Sequence, residues 1–168
     1  MKKYIILMAF FTMLIMAALY IWYDHRKPIR CESVNFMKVN DLKHQRTIFS
    51  EGSMLMTFFN DATGVGVYIG DITYEENEKI VQRNNVNKTF KFTYSIKYDQ
   101  LTIVTETVIS NMGNRASDDE AQRYIYPGFQ KGKIMHGTLL NIGGTDTYAV
   151  AENMNPKSIC HKVLNDKI

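Results

Sequence analysis

The chain is poor in the residues that small stapled folds and many enzymes depend on. Its 168 residues include two cysteines, three prolines and four histidines. Cys31 and Cys160 stand far apart, which excludes a C-x-x-C redox pair and a cysteine-based zinc site. Pro28, Pro127 and Pro156 are too scattered to make a proline-rich linker, and there is no internal repeat or low-complexity tract. His25, His44, His136 and His161 never meet carboxylates or cysteines at ligand spacing, so no metal or cofactor site is nominated. Nor does one charge dominate. Residues 31–168 carry 15 Lys and Arg against 16 Asp and Glu, a balance of −1. Such a domain has no electrostatic footprint for nucleic acid, and no direct nucleic-acid contact is expected.

What the chain does have is one long apolar run. Tyr4 to Tyr23 is unbroken, with Lys2 and Lys3 before it and Asp24, His25, Arg26 and Lys27 after it. At ~1.5 Å per residue a helix of this length covers roughly 30 Å, the thickness of a bilayer core. A cleaved signal peptide is the competing reading, but its apolar core is shorter, about 7–15 residues. The small pair Ala17-Ala18 lies inside the run, and Tyr20, Trp22 and Tyr23 resemble an interfacial aromatic belt. The expected plan is a cytoplasmic stub (1–3), a transmembrane helix (4–23), a juxtamembrane linker (24–30) and a single β domain (31–168).

The flanking charges do not orient this helix, because Lys2 and Lys3 are balanced by Arg26, Lys27 and Arg30. The cysteines break the tie. They stand at the two ends of the soluble part, as a clasp between its first and last strands would. Two separate buried thiols are the alternative. Disulfides persist in oxidising compartments such as the bacterial periplasm. The clasp therefore places the amino terminus in the cytoplasm and the domain in the periplasm, anchored to the inner membrane by a single pass.

The domain reads as mainly β. Phe90, Phe92, Tyr94, Ile96 and Tyr98 alternate with Lys91, Thr93, Ser95, Lys97 and Asp99, the pattern of a half-buried antiparallel strand. Asp99-Gln100 is expected to turn the chain into a second strand, Leu101 to Ser110. Further strands are expected over Val34–Val39, Thr47–Phe49, Ser53–Phe59 and Val65–Tyr74. A hairpin is expected over Ile134–Ile142 and Thr147–Ala151 about Gly143-Gly144, with a last strand near Ile159 and Val163. Ser117 and Glu120 form a capping box that starts one short helix of about three turns, with Ala121, Tyr124 and Ile125 on one face. Pro127-Gly128 ends it. Seven or eight strands with one helix predict a small lipocalin-like barrel or a curved antiparallel sheet, and an unclosed barrel would leave an edge for a partner.

Little catalytic chemistry is visible. Gly64, Gly66 and Gly70 lie in a strand pattern with the wrong spacing for a nucleotide loop, and close backbone approach explains them better. Asp118, Asp119 and Glu120 are consecutive and suit the helix start more than a metal. No nucleophile stands beside a base, so the chain is not read as an enzyme. The stripe Phe90, Phe92, Tyr94, Ile96 and Tyr98, with Met54, Met56 and Phe58 opposite, reads as core. It also suits the lining of a cavity for a lipid-like (fatty-acid-like) or sterol-like ligand. His136 in a strand is a candidate pH switch if partly buried, against the plainer reading of an exposed histidine.

Several features together resemble a known group. A Lys-led start and one span precede a cysteine. Gly66-Val67-Tyr68-Ile69-Gly70-Asp71-Ile72, Arg83, Phe90-x-Phe92-x-Tyr94 and a late cysteine follow. In this the chain resembles the FidL-like membrane proteins of enterobacteria and the PsaF/MyfF partners of fimbrial regulators, and in plan it is similar to ToxS. The resemblance implies an accessory subunit that binds and stabilises the periplasmic domain of a ToxR-like, single-pass transcription activator. It also implies a shared sensor for bile-type ligands or pH, with virulence or fimbrial genes as targets. The alternatives are a stand-alone periplasmic barrel for an apolar molecule and a fimbrial or envelope assembly factor.

Overall fold

The computed structural model describes residues 2–24, 28–142, 147–152 and 155–162. A helix, α1 (Lys2–Asp24), precedes eight strands: β1 (Ile29–Asp41), β2 (Arg46–Phe58), β3 (Thr63–Glu76), β4 (Lys79–Lys97), β5 (Gln100–Ser110), β6 (Ile134–Asn141), β7 (Thr147–Glu152) and β8 (Asn155–Lys162). A second helix, α2 (Asp118–Tyr124), lies between β5 and β6. Each strand pairs antiparallel with the next, and β8 returns to β1, closing a barrel. The mainly β expectation holds in its barrel form.

Turn chemistry fixes several registers. Glu76 pairs with Lys79, so Asn77 and Glu78 alone make the β3–β4 turn, both at positive φ (49° and 62°). That is a type I′ turn, whose twist matches the strands it joins. Lys97 pairs with Gln100, which puts Tyr98 in the β4–β5 turn at φ 57° instead of in the strand. The turn is one residue earlier than the sequence predicts, and Tyr98 is fully exposed. The predicted short strands Thr47–Phe49 and Ser53–Phe59 are one strand, β2, through Gly52. The capping box of α2 is present with Ser117 as N-cap, but the helix has seven residues, about two turns and not three. The Gly143-Gly144 turn and Val163 lie outside the described residues.

The closure between β1 and β8 is short. Ile29–Glu32 pairs with Ile159–Lys162, and Cys31 faces Cys160 in register, where they form the disulfide. Beyond Glu32, β1 pairs with β2 alone as far as Asp41. On the other flank β5 covers β4 only from Lys88 onward. The first four strands thus project past the closed ring as a curved extension.

The described side chains of α1, Met8 and residues 10–20, are exposed. Among the described residues no helix is long and apolar enough to cross a membrane.

Candidate functional site

The aromatic stripe faces the barrel interior. Phe90 and Phe92 are buried, Tyr94 is partly so, and Met54, Met56 and Phe58 are buried on β2. The rings pack edge-on or tilted: Phe58 on Phe92 at 5.2 Å, Phe90 on Phe92 at 5.6 Å. Space for these rings comes from glycines directly across the β3–β4 ladder. Gly64 pairs with Phe92 and Gly66 with Phe90. A Cβ at either position would overlap the facing ring. Close approach, not a nucleotide loop, explains this glycine pattern.

The connection between β5 and β6 then plugs the open end. Ala116, Ala121 and Phe129 are buried, and Phe129 packs on Phe90 at 5.5 Å, on Tyr126 at 5.6 Å and on Tyr68 at 6.0 Å. The eight nominated residues therefore divide. Six of them, Met54, Met56, Phe58, Phe90, Phe92 and Tyr94, form one core, whereas Ile96 is 42% exposed and Tyr98 is solvated. What remains near them is a cleft of about 20 Å³ lined by Ile29, Phe58, Tyr94, Ile96, Leu101 and Leu139. A single water fills roughly that space.

Polar contacts hold the plug on the concave side of the extension. The carboxylate of Glu120 accepts hydrogen bonds from the Tyr74 hydroxyl, from Asn84 Nδ2 (3.0 Å) and from the Ser117 backbone N–H (2.8 Å). Partial burial pushes the Glu120 pKa up, but these donors outweigh it, and the carboxyl lies below its ordinary value. Burial raises the Tyr74 hydroxyl, reinforced by the adjoining carboxylate. Lys88, with no exposed surface, places Nζ 2.5 Å from Asp118 Oδ1 and 2.8 Å from Ser110 Oγ. At the end of α2, Ser50 Oγ donates to the Tyr124 carbonyl (2.5 Å) and Asn35 Nδ2 to the Ile125 carbonyl (3.0 Å). The backbone N–H groups of Arg115 and Ala116 both donate to the Asn85 carbonyl on β4.

Sequence reasoning missed this latch. The contacts of Tyr74, Asn84 and Lys88 with the plug, and of Phe129 with Phe90 and Tyr68, join residues tens of positions apart. Only the inward alternation Asn84, Val86, Lys88, Phe90 along β4 marks the two polar residues as interior.

His136 is exposed on β6, with Nδ1 3.3 Å from Thr102 Oγ1. This is the plainer of the two readings of that residue. Among the described residues no three His, Cys, Asp or Glu side chains gather into a metal-sized group. The outside of the extension carries apolar side chains in water: Val34 (86% exposed) and Phe36 (67%) along β1, and Ile80 and Val81 on β4. The arrangement offers surface and edge, with little interior space. No family model matches the chain, and no curated protein is similar to it.

Proposed function

We propose that the chain is an accessory subunit held at the bacterial inner membrane by Tyr4–Tyr23. Its periplasmic barrel would bind and stabilise the periplasmic domain of a ToxR-like transcription activator. The observation that carries this reading is a barrel filled by its own side chains, with apolar residues displayed on its outside. Such a protein acts by binding, and a partner that binds only the folded activator stabilises it by mass action. The exposed apolar side chains of α1 suit contact with lipid, and the Cys31–Cys160 bond suits an oxidising compartment. A shared sensor for bile-type ligands belongs to the same proposal, and the ligand would occupy space created with the activator's domain.

The test is co-expression of the full chain with a ToxR-like activator, followed by the activator's turnover and by co-purification. The expected result is a longer activator half-life and a recovered complex. An unchanged half-life with no complex overturns the proposal. The unpaired part of β1 favours one second reading, an envelope assembly factor that captures a strand of a fimbrial subunit. Co-purification with a pilin-type subunit in the absence of any activator would select it.

A further inference from the structure

Among the described residues no strand pairs with the outer edge of β1 from Ser33 to Asp41. β8 pairs with β1 only as far as Glu32 and then continues over Asn155–Ser158 against β7 alone. In an antiparallel ladder every second residue of this stretch turns its N–H and C=O away from β2, toward the unpaired side. Edges of this kind are usually short, charged or covered. Here the stretch is nine residues long, and its outward side chains include exposed Val34 and Phe36.

We propose that this edge pairs with the same edge of a second copy of the chain across a two-fold axis. This inference stands apart from the accessory-subunit reading and uses only topology and residue pairing. The topology restricts the register. A second copy carries its own β8 beside Ile29–Glu32, so residues 33–41 of one chain can face only residues 33 and above of the other. The longest ladder meeting that condition is centred on Met37. It pairs Met37 with Met37, Phe36 with Lys38, Val34 with Asn40, and Ser33 with Asp41 of the second copy.

That register is self-complementary. No like charges oppose one another, and two copies of each unlike pair form. Each Lys38 ammonium is set beside the Phe36 ring of the other chain, with Glu51, the cross-strand neighbour of Phe36, beyond it. Within one chain Lys38 already lies over a ring, with Nζ 5.1 Å from the Phe49 centroid. The pairing would give the free backbone groups partners and cover Val34 and Phe36.

The experiment uses the full chain in detergent micelles. Light scattering is expected to show a dimer whose population rises with concentration. Met37→Cys, on the axis, is expected to cross-link to itself under mild oxidation, whereas Val34→Cys, which would face Asn40, is not. Phe36→Lys sets like charges opposite each other twice and is expected to weaken the dimer about tenfold. Adding Lys38→Glu to that variant is expected to restore it. A monomer at all concentrations overturns the proposal. So does equal cross-linking at Val34 and Met37, a dimer that cross-links through Ile80→Cys instead, or an edge that takes up only a strand of another protein.

Discussion

Lys88 and Asp118 join the barrel interior to the start of α2. The ammonium belongs to a side chain with no exposed surface, and 2.5 Å away is a carboxylate whose side chain is 76% exposed. The pair is asymmetric, since one partner is solvated by water and the other only by Asp118 and the Ser110 hydroxyl. Replacing the carboxylate by an amide leaves a buried cation with neutral acceptors only. Asp118→Asn is therefore expected to lower stability by about 1–3 kcal/mol. Lys88→Met, which removes the charge together with its need for a partner, should cost less. Urea unfolding of the two variants, with Asp119→Asn as an exposed control, checks the order.

The Cys31–Cys160 bond lies across the four residue pairs that close the barrel. It ties points 129 residues apart. In the chain-entropy model a loop of this size corresponds to ~4–5 kcal/mol of stabilisation. Cys31→Ser should lower the unfolding midpoint and change mobility on a non-reducing gel. Migration identical to that of the parent chain would show that the bond does not form.

Gly66 and Phe90 make a complementary pair across β3 and β4. Gly66→Ala should destabilise by about 1–3 kcal/mol, since its Cβ would overlap the ring. Combined with Phe90→Leu, which removes the ring edge, the two losses should be less than additive. Additive losses in thermal melts would mean that the glycine serves some other purpose.

The latch at Glu120 predicts a pH dependence with a definite sign. Its folded-state pKa is depressed. The stabilisation it contributes is then fully present above the ordinary glutamate value and is lost as pH falls through the depressed one. Stability should fall in the acid range below about 4.3, where an unperturbed glutamate starts to protonate. Glu120→Gln should flatten that part of the profile and be less stable than the parent at pH 7. Chemical unfolding at pH 7, 5, 4 and 3 measures both effects.

Local pattern made part of this fold readable. The alternation Phe90, Phe92, Tyr94 marks an inward face, and Ser117 with Glu120 marks the start of α2. The first half of β4 was not readable, because Gln82, Asn84, Asn85, Asn87 and Lys88 look like a polar loop. They are a strand because the type I′ turn at Asn77-Glu78 starts the return and β3 pairs with them throughout. Of these, Asn84 and Lys88 turn inward, and their polar side chains are tolerated there because the plug supplies acceptors at Glu120 and Asp118. Phe129 was invisible for a similar reason. It lies in an irregular segment, and only the packed barrel shows that the segment enters the core.

By itself the sequence determined the element types, the aromatic inner face, the helix cap and a pair of cysteines able to clasp the ends. It also determined the long apolar run at Tyr4–Tyr23, since hydropathy and length are properties of a local segment. Tertiary structure alone decided that the strands close over four residue pairs and that Phe129 fills the ring beside Phe90. It also decided that Lys88 is buried and that Ser33–Asp41 pairs with β2 but, among the described residues, with no strand on its other edge. These outcomes depend on register between distant strands. A period-two pattern says which face a side chain takes, but not which strand lies beside it or where pairing stops.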